Sequence, residues 1–174
     1  DEWQISFQRN GETHGEREAV PTEKPDDLDW TRIVTSGKDS LELVPALPDK
    51  PVVVRPESTI SIMPGREARL YCLVPLWIRF FSRQGEKQEL LYEVPSVELS
   101  KTWFGDPLSG ELCYSLDSKL VRSYDDFPPS ALNAVCPLQV KNGASESLFF
   151  ERICVNVENL NLYGSRNRLW TNQM

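Results

Sequence analysis

The sequence has few of the residues from which catalytic and metal sites are usually built. Its 174 residues include one histidine, His14, which lies in a polar stretch without cysteine or carboxylate partners at ligand spacing. It contains no dinucleotide-binding or phosphate-binding glycine motif. A histidine-dependent triad and a histidine-rich metal hydrolase are therefore excluded. We expect no catalytic residue, no bound metal and no cofactor.

Basic residues and long apolar runs are also scarce. Lysine and arginine number 19 against 26 acidic residues, which gives a formal charge of −7. Non-specific nucleic-acid binding needs a basic surface, so nucleic acid is excluded as a partner. No apolar run approaches the roughly 20 residues that span a bilayer, so we expect no direct membrane insertion. The chain shows no signal peptide, which favours a cytoplasmic protein; because it begins with Asp1, a trimmed amino terminus is the alternative.

The four cysteines show no close pairing. Cys72, Cys113, Cys136 and Cys154 each lie inside an apolar run typical of a strand. Zinc and redox motifs place cysteines a few residues apart, and no such spacing occurs here. We predict buried free thiols in a reducing compartment, with one disulfide across a sandwich as the alternative.

What the sequence does contain is strand and turn signals, centred on residues 97–122. Apolar residues alternate on both sides of a turn cluster, which is typical of a β-hairpin. The turn itself comprises Gly105, Asp106, Pro107 and Gly110. An aspartate before proline commonly caps a turn by accepting a backbone hydrogen bond, and this is the role that we predict for Asp106.

Short apolar runs separated by proline and glycine recur along most of the chain. They predict an antiparallel, immunoglobulin-like β-sandwich of about eight to ten strands. Residues 1–50 would supply a first strand at Trp3–Phe7, a polar loop and lead-in strands, and residues 51–174 the sandwich core, as one continuous domain. The proline-led segment Pro128–Ala134 predicts one short helix, and Asn142-Gly143 predicts a hairpin turn.

Two motifs carry a family resemblance. They are Trp103-Phe104-Gly105-Asp106 with Gly110–Tyr114, and Asn167–Asn172. Together with the block Pro51–Phe81, they resemble an uncharacterised domain family of archaea and bacteria, some of whose members are attached to mechanosensitive-channel proteins. The resemblance covers Pro51–Asn172. It implies a compact β domain that works beside another domain or partner, and no activity.

The longest apolar run, residues 68–82, has apolar side chains on both faces of the predicted strand. Trp77, Arg79 and Phe81 share the second face, and tryptophan and arginine are frequent interface anchors. We therefore predict a non-catalytic, regulatory or interaction domain that binds a protein partner or a second copy of itself through these three residues. The alternative interpretation for this face is a place in the core.

Other functions keep weaker support. The five tryptophans could form stacking platforms for a carbohydrate or small ligand, although the alternating positions of Trp3, Trp30 and Trp103 suit a core equally well. Carboxylate-based hydrolysis remains a further alternative because three acidic residues lie on the central hairpin: Asp106, Glu111 and Asp117. The acidic run Asp26, Asp27 and Asp29 lacks the glycine and spacing of a calcium loop.

Overall fold

The computed structural model of the chain describes residues 2–6, 26, 29–35, 40–165 and 167–174. These residues form fifteen strands and two single-turn 3-10 helices, so the all-β prediction is confirmed. The strands are β1 (Glu2–Ile5), β2 (Thr31–Val34), β3 (Ser40–Ala46), β4 (Val52–Arg55), β5 (Ile60–Ile62), β6 (Glu67–Pro75), β7 (Trp77–Gln84), β8 (Lys87–Pro95), β9 (Ser100–Phe104), β10 (Glu111–Asp117), β11 (Asn133–Lys141), β12 (Leu148–Phe150), β13 (Ile153–Val155), β14 (Leu162–Ser165) and β15 (Arg168–Thr171). The 3-10 helices are Tyr124–Asp126 and Val157–Asn159.

Contacts between Cα atoms divide the chain into two compact units. The smaller unit consists of Asp1–Val44 and Arg79–Glu93, and the larger unit of Pro45–Ile78 and Val94–Met174. The smaller unit holds the β1–β2 pair and most of the three-stranded sheet β3-β7-β8. The predicted organisation, in which residues 1–50 lead into a core of residues 51–174 within one continuous domain, stays a prediction.

The larger unit is a β-sandwich, as predicted. One four-stranded sheet has the order β13-β4-β10-β9 and the other β14-β15-β11-β6, and a short β12-β5 pair accompanies them. Side chains from both four-stranded sheets form one buried core, and they include Val52, Val54, Leu70, Cys72, Val74, Cys136, Leu138 and Val155. Two pairings, β4 with β10 and β11 with β15, are parallel, in contrast to the fully antiparallel sheets of immunoglobulin domains.

Strand β4 occupies the interior of its sheet, and its sequence suits that position. Val52 and Val54 face the sandwich core, whereas Val53 alternates to the opposite face of the sheet, and all three are fully buried. A strand buried on both faces reads as a continuous apolar run, and β-branched valine packs well there. The neighbouring strands β10 and β13 are therefore held in fixed register on either side of β4.

The helix predicted at Pro128–Ala134 is wrong. Phe127, immediately before the first proline, is extended, with φ −97° and ψ 135°. A residue that precedes proline avoids the helical region, and two consecutive prolines impose this restriction twice. The Ser130 hydroxyl then accepts a hydrogen bond from Leu132 N–H, and β11 begins at Asn133. The single helical turn lies upstream, at Tyr124–Asp126, where the Ser123 hydroxyl accepts from Asp125 N–H.

The hairpin predicted around Asn142-Gly143 is also wrong. The strand before it, β11, pairs with β6 and β15, whereas the strand after it, β12, pairs with β5. The Asn142 amide donates to the carbonyl oxygens of Ile62 and Glu146, both at 2.8 Å, and its oxygen accepts from Ala144 N–H at 3.0 Å. The buried Asn142 side chain thus stabilises the connection between two sheets, at the position where the sequence predicts a two-residue hairpin turn.

Several predictions fall on parts of the chain outside the described ranges. The first predicted strand is observed as β1 up to Ile5, and Phe7 lies beyond it. His14, Asp27 and most of the polar loop likewise lie outside the described residues.

Candidate functional site

Trp77 does not form the exposed contact that the sequence predicts. Its side chain is 6% exposed, and its ring centroid lies 5.4 Å from that of Tyr114. Tyr114 is fixed in turn, because its hydroxyl donates to Asp49 at 2.7 Å and Lys50 Nζ lies 5.6 Å from its ring centroid. Burial raises the pKa of Asp49, but hydrogen bonds from Lys50 and Tyr114 outweigh it and lower the pKa overall. Trp77 is therefore a core residue of the larger unit, which corrects its assignment as a surface anchor.

Arg79 and Phe81 are half-buried residues of the smaller unit. The Arg79 guanidinium forms an ion pair with Glu93 of strand β8. Phe80 alternates to the other face of β7, where its ring centroid lies 6.0 Å from that of Tyr92. Arg79 is thus engaged inside its own sheet, which weakens it as an anchor for a partner.

The turn between β9 and β10 is ordered by its own polar groups. Gly105 has a φ of 102°, in the left-handed region that glycine tolerates best. The Asp106 carboxylate accepts from Leu108 N–H at 2.9 Å, and its carbonyl accepts from Gly110 N–H at 2.7 Å. Asp106 therefore serves the turn, which leaves its carboxylate poorly placed for acid–base chemistry.

This turn presents an apolar surface, which we call the hairpin tip and define as Trp103, Leu108 and Leu112. Their exposed fractions are 47%, 96% and 42%, respectively, and Trp103 lies directly opposite Leu112 in the ladder. The Trp103 indole N–H donates to the Asp106 carbonyl at 3.0 Å. The alternation that suited Trp103 equally to a core or a stacking platform is present, but Trp103 lies at the exposed end of the hairpin.

A second feature is an open groove of about 520 Å³ beside the first 3-10 helix. Tyr124 and Trp170 form an edge-to-face aromatic pair with centroids 4.9 Å apart. Polar side chains line the rest of the groove: Asp125, Ser165, Asn167 and Arg168. Arg168 is held by a 2.7 Å hydrogen bond to the Phe127 carbonyl. An aromatic wall beside planar polar groups is suited to a small polar ligand.

A third feature brings together side chains that are far apart in sequence. The ligand atoms of Glu111, Cys113 and Cys154 all lie within 4.8 Å of one another. Cys113 is fully buried, Cys154 is half-buried and Glu111 is exposed. Burial raises the pKa of the Cys154 thiol to about 12 and also raises that of Cys113. Both are therefore neutral thiols in the absence of a bound cation.

The remaining cysteines form a separate pair. Cys72 and Cys136 lie directly opposite each other on β6 and β11, and both are buried in the sandwich core. All four cysteines are free. Sequence spacing could not reveal either pair, because the two cysteines of each pair come from strands that are distant along the chain and meet only in the folded sheets.

Comparison with known proteins gives a family but no characterised relative. A family model described as "Protein of unknown function (DUF432)" matches residues 1–174, including the first fifty residues that the sequence resemblance left uncovered. No curated protein and no solved structure matches the chain. The match carries no association with mechanosensitive channels. Among the described residues, no helix has the length and apolar character needed to cross a membrane.

Proposed function

The chain belongs to the DUF432 family of proteins of unknown function, and we propose that it is a non-catalytic interaction module that pairs with a second copy of itself along strand β9. The observation that carries this proposal is the exposed, fixed indole of Trp103 on an edge strand. The earlier candidates Arg79 and Phe81 have no part in this pairing. The four free thiols support the predicted reducing, cytoplasmic location.

The hairpin tip is organised for contact before any partner arrives. The indole N–H of Trp103 donates a hydrogen bond to the Asp106 carbonyl. This bond satisfies the polar group of the indole and restricts rotation of the ring. A partner would therefore cover apolar surface at little cost in side-chain entropy. Tryptophan residues of this kind are frequent centres of binding energy in interfaces.

Strand β9 also offers backbone groups. It lies at the end of the sheet order β13-β4-β10-β9, so in the described part of the chain only one of its edges is paired with a strand. An unpaired edge is a template for another strand. Pairing of β9 with an incoming strand would extend the four-stranded sheet without rearranging it.

The sequence of β9 is complementary to itself in antiparallel orientation. In a two-fold pairing centred on Thr102, Lys101 of each copy lies opposite Trp103 of the other, and Ser100 lies opposite Phe104. Lysine over an indole ring gives a favourable cation–π contact, and Leu112 flanks each pair. Because two-fold pairing repeats each contact, the second copy is the occupant that we favour. An interface of five residues per strand is small, so the association is expected to be weak, with a Kd of roughly 10–100 µM.

The test is sedimentation velocity of the purified chain over a wide concentration range. We expect a monomer–dimer equilibrium in the wild type. Trp103→Ala should raise the Kd about 30-fold, which corresponds to about 2 kcal/mol, and Lys101→Glu should weaken pairing by removing both cation–π contacts. Tyr163→Ala is the matched control, because Tyr163 is an exposed aromatic residue on another edge strand, β14. Circular dichroism checks that all variants are folded.

Two results would overturn the self-pairing proposal. One is a wild type that remains monomeric at the highest concentration. The other is an equal effect of Tyr163→Ala and Trp103→Ala, which would show that contact at the hairpin tip is not specific.

The aromatic groove favours a second candidate function, the binding of a neutral carbohydrate. Aromatic rings stack on sugar faces, and the groove places carboxylate, amide and guanidinium groups beside Trp170. The test is titration with a set of neutral mono- and disaccharides, followed by tryptophan fluorescence. We expect a saturable signal that Trp170→Ala abolishes and Trp103→Ala preserves. No saturation with any sugar, or loss of the signal in Trp103→Ala, would exclude the groove as the sugar site.

A further inference from the structure

Two thiols and a carboxylate converge on one face of the sheet β13-β4-β10-β9. Glu111 and Cys113 are two residues apart on β10 and therefore share a face, while Cys154 reaches them from β13. Their ligand atoms lie within 4.8 Å of one another. The described residues contain no other group of three such side chains at this spacing, so the arrangement is specific to this place in the fold.

We propose that Glu111, Cys113 and Cys154 form a binding site for one zinc ion. Zinc accepts thiolate sulfur at about 2.3 Å and carboxylate oxygen at about 2.1 Å in tetrahedral geometry, which places neighbouring ligand atoms about 3.6–3.8 Å apart. In the structure the three ligand atoms lie within 4.8 Å of one another. This limit is about 1 Å longer than the spacing around a zinc ion, and small side-chain rotations can close the difference. A water molecule would take the fourth position, on the side where Glu111 is exposed.

The placement of the strands favours a metal over a disulfide between these cysteines. Strand β4 lies between β10 and β13. At a strand spacing of about 4.8 Å, the backbones of β10 and β13 are separated by about 9.5 Å. A disulfide requires Cα atoms within about 7 Å, whereas a metal ion adds two bonds to the bridge. The two sulfur atoms thus lie close together although their strands are not neighbours in the sheet, an arrangement that a metal ion can bridge.

The charges of such a site can be balanced. Binding of Zn²⁺ releases one proton from each thiol to solvent, and the two thiolates with the Glu111 carboxylate leave a net charge of −1 on the complex. Arg152 lies two residues before Cys154, immediately before strand β13. Its guanidinium carbon lies 5.2 Å from the ring centroid of Phe104, the residue paired with Glu111. This positive charge next to the site offsets the excess negative charge.

The experiment uses Co²⁺ as a spectroscopic probe on the full, reduced chain, followed by displacement with Zn²⁺. A thiolate-to-cobalt charge-transfer band in the near ultraviolet reports sulfur ligation, and native mass spectrometry gives the stoichiometry. We expect one ion per chain and a thermal midpoint that rises with Zn²⁺ but not with Mg²⁺, which prefers oxygen ligands.

Variants separate this site from adventitious binding. Cys154→Ser should weaken Zn²⁺ affinity at least 100-fold and remove most of the charge-transfer band, and Glu111→Gln should weaken affinity about 10-fold while keeping the band. Both residues are partly accessible, so these changes spare the fully buried Cys113. Glu158→Gln, at an exposed carboxylate of the second 3-10 helix, is the control that should bind as the wild type does.

The proposal fails if the wild type gives no charge-transfer band with Co²⁺, or if Cys154→Ser binds the ion as tightly as the wild type. Binding that Cys154→Ser preserves would locate the ion elsewhere on the acidic surface. Sedimentation of the same variants keeps this result separate from the self-pairing of β9, because Cys154 and Glu111 lie outside β9.

Discussion

Gly110 shows how one residue positions the hairpin tip. A Cβ atom at this position would lie 2.5 Å from the Phe104 carbonyl oxygen, 2.6 Å from the Trp103 indole nitrogen and 2.7 Å from the Asp106 carbonyl oxygen. Two of these atoms belong to the backbone and cannot move without opening the turn. Glycine is therefore required here because of close packing, whereas Gly105 is favoured because of its positive φ.

We predict that Gly110→Ala destabilises the fold by about 1–3 kcal/mol and releases the Trp103 indole. Urea unfolding measures the change in free energy, and the fluorescence emission of Trp103 should shift to longer wavelength as its ring becomes solvated. Gly164→Ala is the matched control, since a Cβ there meets no atom within 4 Å and its φ is not positive. Equal stabilities of the two variants would contradict the packing role of Gly110.

The spacing of cysteines in the sequence does not predict the cluster of Glu111, Cys113 and Cys154. Cys113 and Cys154 are on strands that never pair with each other, and they meet only because β4 holds both strands in register. The sequence did indicate that each cysteine lies in an apolar strand. Which cysteines share a face depends on the order of strands in the sheet, and a period-two pattern contains no information about that order.

At the scale of elements, the strands themselves were the predictable part. Alternation and turn residues locate β4, β5, β9 and β10 closely, because burial of one face leaves a period-two pattern. Their partners were not predictable in the same way. Asn142-Gly143 is typical of a hairpin, yet the strand that follows it pairs with β5, because the Asn142 side chain binds the carbonyl at the end of β5.

Trp77 and Trp103 illustrate the same limit for the candidate interaction surface. Both lie in alternating apolar strands, so the pattern alone cannot distinguish the buried tryptophan from the exposed one. The difference arises from tertiary packing. Trp77, the first residue of β7, packs against Tyr114, whereas Trp103 lies one residue from a turn on an edge strand. Because both tryptophans lie near the end of a strand, proximity to a strand end does not separate them either.

At the scale of the whole molecule, net charge opposes the proposed pairing. Each copy has a formal charge of −7, so two copies repel over distances comparable with the Debye length. That length falls from about 30 Å at 0.01 M salt to about 8 Å at 0.15 M. The contacts proposed for β9 are of short range: a backbone ladder, apolar burial at Trp103 and Leu112, and a lysine in contact with an indole. Salt therefore screens the repulsion more strongly than it screens the attraction.

We predict that raising the salt concentration from about 0.01 to 0.15 M strengthens self-association, with a several-fold fall in Kd by sedimentation velocity. This direction is opposite to that of an interface held mainly by surface ion pairs, which salt weakens. Trp103→Ala should associate about 30-fold more weakly than the wild type at both salt concentrations, since screening alone supplies no attraction. A Kd that rises with salt would show that ion pairs, and not the β9 edge with its tryptophan, hold the two copies together.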